Sequence, residues 1–148
     1  LCPTNLVDVL VGLGTDEQTP IVDAIVAHLG QRGDEVVRIA LGCDWPEVGR
    51  LVGEAVCASQ IDRGVVCCHT GTGVSIAANK IPGVRAALCT DVATAIGARR
   101  WNDANVLALG LSVVSEASVR DILEAFLTTP PDASSLSEVA RVEPHLEP

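Results

Sequence analysis

Two adjacent thiols, Cys67 and Cys68, close the apolar run GVVCC (Gly64 to Cys68), and the glycine-rich segment HTGTG follows at once. Such a run reads as a short buried strand, and alternation along a strand sends the two thiols to opposite faces. A thiol between the end of a strand and the start of a helix meets partial positive charge and free backbone amides, which favour thiolate over thiol. Gly71 and Gly73 let the backbone approach a ligand closely and present N–H groups to an anion. A base beside such donors has the parts for moving a proton between adjacent carbons. One group takes the proton and the donors hold the enediolate oxygen. Cys68 is the expected base, and Cys67 is expected to be a small core hydrophobe, as buried cysteines usually are. His69, one residue on, adds a group that titrates near neutrality.

Other chemistry is less favoured. The chain has six cysteines, but Cys2, Cys43, Cys57 and Cys89 are scattered and no CxxC pair occurs. The three histidines, His28, His69 and His145, lack metal-ligand spacing, so no metal is expected. The net charge of -9 argues against nucleic acid, which needs clustered Lys and Arg. No apolar run approaches the roughly 20 residues that cross a bilayer, so no membrane partner is expected. LCPTNLVD has neither the basic segment nor the long apolar stretch of a signal peptide, and reduced thiols in a cytoplasmic protein are expected.

The elements that must position these residues alternate in type. Strands are expected at Leu6 to Leu13, Glu35 to Leu41, Gly64 to Cys68, Arg85 to Cys89 and Val106 to Gly110. The first helix begins at Thr19-Pro20 and is expected to stop at Gly30. The second opens at Pro46 and ends near Ser59, a short one runs through SIAANK, a fourth covers Asp91 to Arg100, and Ser115 caps a last helix through Phe126. Strands alternating with helices give βαβ units, hence an α/β, Rossmann-like, three-layer α/β/α fold on a five-stranded parallel sheet. Sites in such sheets lie at the carboxyl ends of strands, near a topological switch point. Residues 1–128 are expected to form one domain with an aliphatic core, since the chain has one Phe and no Tyr or Met. Residues 129–148, richer in Pro, Ser and Glu, form a tail expected to be disordered or docked on a partner subunit.

The stretches CHTGTGVSIAANKIPGVRAALC (Cys68 to Cys89) and WNDANVLALG (Trp101 to Gly110) resemble the ribose-5-phosphate isomerase B family, which includes galactose-6-phosphate isomerase. The family pattern is close to CGTGxGxSIAANKxxGxRAALC followed by HNDANVLALG. The resemblance implies a small-molecule sugar substrate, aldose–ketose interconversion through a cis-enediolate, and no metal or organic cofactor. It also implies a homodimer or homotetramer with sites at the subunit interface. It places the catalytic cysteine at Cys68, a ring-opening threonine at Thr70, and an oxyanion-holding loop over His69 to Gly73. Asp16 and Asn102 match positions that hold sugar hydroxyls. Without the resemblance, Asp16 is one of several acids near a helix start, and Asn102, Asp103 and Asn105 read as turn and capping residues.

The departures from the pattern gather in the site. The histidine expected beside Asp16 is Glu17, and the histidine that opens the HNDAN block is Trp101. The Asp-Tyr-Pro segment is Asp44-Trp45-Pro46, and the first loop glycine is His69. The family's tail, GGRHxxRV, supplies two arginines to the substrate phosphate, and the positions here are Ser134 and Glu138. Arginine recognises phosphate bidentately, whereas Glu138 and Glu17 would repel a dianion. An altered or unphosphorylated substrate is therefore expected, with Trp45 and Trp101 suited to an apolar or ring-shaped ligand and His69 standing in for the missing ring-opening histidine. The alternative is a non-catalytic or half-site subunit of a hetero-oligomeric isomerase.

Overall fold

Five short apolar runs become the strands of one parallel sheet: β1 (Leu10–Thr15), β2 (Glu35–Leu41), β3 (Arg63–Cys68), β4 (Ala86–Leu88) and β5 (Val106–Gly110). The structure, a computed structural model, describes residues 8–143. Leu6 and Val7 of the first expected strand, with Cys2, His145 and the end of the tail, lie outside the described residues. Strand order is β2-β1-β3-β5-β4, and every pairing is parallel. The chain leaves β1 toward β2 and returns to the other side of β1 as β3. The carboxyl ends of β1 and β3 therefore flank a switch point, where a crevice forms.

Helices cover both faces, as expected for an α/β Rossmann-like fold. Helices α1 (Pro20–Arg32), α4 (Val92–Asn102) and α5 (Glu116–Thr128) bury one core, with Leu13, Ile25, Leu107 and Phe126 inside. Helices α2 (Trp45–Cys57) and α3 (Thr72–Asn79) bury the other, around Val48, Val52, Val66 and Val74. Local sequence sets the ends. Pro20 opens α1, the Asp91 carboxylate accepts from Thr94 N (2.7 Å) to cap α4, and Ser115 and Ser118 form a reciprocal capping box on α5.

Several expected boundaries move: β1 continues past Leu13 to Thr15, β4 is shorter at both ends than Arg85 to Cys89, and the end of α1 shifts most instructively. α1 runs through Gly30 and stops at Gly33, whose φ of 86° is the left-handed conformation and whose N–H donates to Gly30 O at 3.1 Å. A glycine inside a helix costs only about 1 kcal/mol. The left-handed terminator is the position that needs one.

Beyond α5 the chain makes a 3₁₀ turn (Ala133–Ser135) and a short helix, α6 (Leu136–Val139), which packs on α4 of the same chain. Val139 is buried, Asp132 N donates to Arg100 O (2.8 Å), and Glu143 pairs with Arg85. Residues 129–143 are thus ordered against their own domain; docking on a second subunit would add to these contacts. Among the described residues no helix is long and apolar enough to cross a membrane.

Candidate active site

Cys68 ends β3 opposite Gly110 of β5, and Cys67 lies opposite Thr15 of β1. Alternation separates the thiols as expected. Cys67 is fully enclosed in the α1/α5 core, and burial pushes its thiol up, with Cys68 and Asp16 adding to the shift. Cys68 faces the α2/α3 layer and is 5% exposed, at the carboxyl end of its strand. The loop after it is tied to the end of β5. Leu111 N donates to Cys68 O (2.9 Å), and Ser112 gives His69 O two bonds, from N at 2.9 Å and Oγ at 2.7 Å. Thr70 Oγ1 and Thr72 Oγ1 lie 2.8 Å apart. α3 then starts at Thr72 with no side-chain cap on its first turn.

The loop glycines have reasons the motif did not reveal. Gly71 has φ of 79°, and a Cβ there would come within 2.8 Å of the Gly110 amide nitrogen, so the turn is pressed against β5. Gly110 has the same constraint from the other side, where a Cβ would meet Thr70 O at 2.5 Å. Gly73 does not meet open space. The Trp45 indole lies on it, and a Cβ would come within 2.9 Å of the ring. Close approach at Gly73 therefore serves packing of α2 on α3, and its consequence is a half-exposed indole (44%) beside the α3 N-terminus.

Asp16 follows β1, with its N–H donating to Cys67 O at 3.3 Å. Its Oδ1 is sealed from solvent with no hydrogen-bond partner among the described residues, as is Thr19 Oγ1. Burial and the neighbouring Glu17 raise the Asp16 carboxyl, partly offset by backbone donors and by His69. Glu17 itself is exposed, in a turn where Thr15 Oγ1 donates to Glu17 O (2.6 Å). Cys68, His69, Thr70, Gly71, Asp16, Glu17 and Trp45 thus gather at one edge of the sheet. Ser112, which anchors the loop, was missed; it lies in no motif, and only the fold brings β5 against β3.

Trp101 and Asn102 are not brought there. They end α4 at the amino edge of the sheet, four strand residues from Cys68 along β3, roughly 13 Å. Trp101 lies on Gly97 and is 58% exposed. It lines a cleft of about 410 Å³ with Asn102, Arg85, Glu138, Val139 and Val142. Two of the cations nearby, Arg85 and Arg99, are engaged. Arg85 donates to Asp103 O (2.9 Å) and Glu143 (2.5 Å). Arg99, 2% exposed, donates to Thr129 O, Asp103 and Ala104 O and lies over the Phe126 ring. Asp103, at φ 46°, terminates α4, and Asn105 bridges Arg85 N and Gly83 O, so both are structural. Among the described residues no three His, Cys, Asp or Glu side chains come together as metal ligands.

The sequence pattern of the Ribose/Galactose Isomerase family matches residues 11–143. The chain belongs to that family. Among similar proteins, ribose-5-phosphate isomerase B of Escherichia coli (strain K12) is 41% identical over 107 residues, 70% of this chain and 72% of that one. The galactose-6-phosphate isomerase subunit LacB of Clostridium acetobutylicum is 32% identical over 123 residues, 80% of this chain and 71% of the other. The solved ribose-5-phosphate isomerase B of Clostridium thermocellum superposes with a TM-score of 0.84 at 37% identity, covering 90% of this chain and 94% of its own. Membership in the Ribose/Galactose Isomerase family implies a small-molecule sugar substrate. It also makes the two-edged distribution of the candidate residues the central structural question of the site.

Proposed function

We propose that the chain is a cofactor-independent aldose–ketose isomerase in which Cys68 takes a proton from one carbon of a sugar and returns it to the neighbouring carbon. The observation that carries this reading is the placement of Cys68 at the carboxyl end of β3, between an uncapped helix N-terminus and a loop pinned to β5. The amides of that loop and of the first turn of α3 are suited to hold the enediolate oxygen, where preorganised donors lower a barrier most. Thr70 is placed to assist ring opening, Asp16 to accept from sugar hydroxyls, and Trp45 to form an apolar wall. The substrate's remote end is unphosphorylated or otherwise altered. Ser134 and Glu138 stand where the family resemblance implies arginines, and Arg85 and Arg99 are held by their own partners.

Trp101 and Asn102 lie about a strand length from the Cys68 of their own chain, so a part for them in the site calls for a second subunit, as in a homodimer or homotetramer with shared sites. The free cysteines at 43, 57, 67, 68 and 89 support a reducing, cytoplasmic setting. One observation favours a second reading, a half-site subunit paired with an unlike chain: the similarity to a protein named as a subunit of galactose-6-phosphate isomerase. A native mass of the protein purified from its source distinguishes the two, because an unlike co-purifying chain would establish the second.

The test of the activity is deuterium uptake in heavy water over a panel of aldoses, ketoses and their phosphates. Cys68→Ala should abolish uptake and Cys67→Ala should retain it. Uptake that survives Cys68→Ala overturns the assignment.

A further inference from the structure

We propose that Asp16 and His69 act as a carboxylate–imidazole pair that carries a proton between the two substrate oxygens while Cys68 carries one between the two carbons. This inference rests on the isomerase reading above. It starts from register. Thr15 pairs with Cys67, so Asp16 leaves β1 beside Cys68, the last residue of β3, and His69 is one step further on. The bond from Asp16 N to Cys67 O (3.3 Å) holds the two chain segments together at that point.

The Asp16 Oδ1 atom is enclosed yet bonded to nothing among the described residues. An enclosed carboxylate oxygen without a donor is costly, and such atoms are few in folded proteins. A donor that arrives with the substrate-bound state resolves the cost, and His69, two residues beyond the Cys67 carbonyl that Asp16 N bonds, is the candidate for it. Its carbonyl is fixed twice by Ser112, so the ring is left to turn about its own side-chain bonds while the backbone stays still. The Asp16 carboxyl is raised by burial and Glu17 and drawn partly back by backbone donors and His69. The other described histidine, His28, bonds Glu124 at 3.1 Å between α1 and α5, within the opposite layer. Of the further carboxylates at this edge, Glu17, Asp44 and Glu116 are exposed and Asp91 is engaged as the cap of α4.

The chemistry needs such a pair. As Cys68 thiolate removes the proton from C2, the C1 carbonyl pair moves to O1, which takes a proton from His69 imidazolium. The enediol then forms the ketose. The O2 proton passes to neutral His69, C2=O2 forms, and the Cys68 thiol delivers its proton to C1. Atoms and charge balance, and both groups return to their starting states. Asp16 is the positioning residue, because it sets the imidazole orientation and favours the imidazolium with which the cycle starts and ends.

A ring-opening role for His69 would slow every later event equally, whereas oxygen-to-oxygen transfer governs which way the intermediate collapses. The experiment therefore measures two rates in heavy water with the same panel of sugars: deuterium appearing in recovered aldose, and conversion to ketose. In His69→Gln the ratio of exchange to conversion should rise at least about tenfold. Asp16→Asn should move it the same way by less, and the double variant should match His69→Gln, because partners in one unit are not additive. Matching thermal melts for wild type and His69→Gln establish that the variant is folded. An unchanged ratio, with both rates falling together, assigns His69 to ring opening or structure and overturns the pair. Additive effects in the double variant overturn the role of Asp16. If wild type neither exchanges nor converts any sugar, the isomerase reading fails and this inference with it.

Discussion

The two edges of the sheet treat their polar groups in opposite ways. At the amino edge, bonds close on one another. Arg85 is shared by Asp103 and Glu143, Arg99 by Asp103 and two carbonyls, Asn105 by Arg85 and Gly83, and Asn79 by both backbone groups of Ala86. At the carboxyl edge they are left open: Asp16 Oδ1 and Thr19 Oγ1 have no partner, α3 has no side-chain cap, and His69 is exposed. Native structures satisfy their enclosed polar groups, so an edge that does not is one completed by something else. The amino edge contributes surface instead, in the exposed Trp101, Asn102 and Glu138 lining its cleft. On the proposed reading one edge holds groups for chemistry and the other offers a face for the rest of a ligand, and in a single chain the two are about a strand length apart.

Mixing variants gives the largest effect and the most direct way to break this comparison. Cys68→Ala disables the carboxyl edge and Asn102→Ala the amino edge, so each homodimer should be nearly inactive. If sites are shared, a heterodimer formed after mixing and exchange contains one site in which both edges are native. Activity should then recover to about one quarter of wild type, the statistical share in a two-fold symmetric dimer. No recovery after mass spectrometry confirms heterodimers would place both edges' functions within one chain.

Charge at both edges, Glu138 at the amino edge and Glu17 at the carboxyl edge, governs the next effect. Glu138→Arg combined with Glu17→His replaces two repulsive groups by donors to a dianion, and charge-assisted bonds to phosphate are the strong ones. The rate on ribose 5-phosphate relative to unphosphorylated ribose should rise on the order of tenfold, which is about 1.4 kcal/mol. A wild-type protein that already prefers the phosphate ester sinks the altered-substrate reading.

The fold was legible because each strand is an apolar run bounded by turn residues, and Thr19-Pro20, Asp91 and Ser115 mark helix starts by local chemistry. The same locality explains the error at Gly30, where glycine looks like a terminator until the geometry of Gly33 is known. Cys68 was legible for the same reason, since its helix start and loop are contiguous with it. Trp45 on Gly73, Ser112 on His69 and Gly110 against Thr70 were not, because each pairs residues from different elements with no shared periodicity. The separation of Trp101 and Asn102 from Cys68 was hidden as well. Motif spacing counts residues along the chain, whereas α4 runs antiparallel to the strands and delivers its last residues to the far edge.

A smaller effect sharpens the contrast by stability. Burial and Glu17 hold the Asp16 carboxyl above its ordinary value of 3.8. The folded chain therefore keeps this proton over a range in which the unfolded chain has lost it. The favourable contribution of protonated Asp16 is present at low pH and disappears as pH rises through the raised value, leaving a penalty at neutrality. Asp16→Asn should melt slightly higher than wild type at neutral pH, with the difference vanishing below pH 3.8. A variant that melts lower at neutral pH would mean the carboxylate is satisfied in the folded protein, and the carboxyl edge would lose its distinction from the amino edge.

The smallest expected effect tests whether the amino edge is as saturated as its bonds suggest. Glu143→Gln removes the charge of one of the two carboxylates that hold Arg85, leaving Asp103 Oδ2 at 3.4 Å and the Asp103 carbonyl at 2.9 Å. Both partners of the lost pair are partly exposed, so the cost should be about 0.2–1 kcal/mol. The tail should stay in place, because Val139 remains buried and Asp132 N still bonds Arg100 O. Arg85 lines the same cleft as Trp101 and Glu138, so any guanidinium freed there would meet the remote end of a ligand. With Asp103 still engaged, inhibition of isomerisation by inorganic phosphate should strengthen by no more than about threefold, below the tenfold that marks a charge-assisted contact. A tenfold gain from this one change would make Arg85 a latent phosphate ligand held in check by the tail. The absence of arginines at Ser134 and Glu138 would then no longer argue against a phosphorylated substrate.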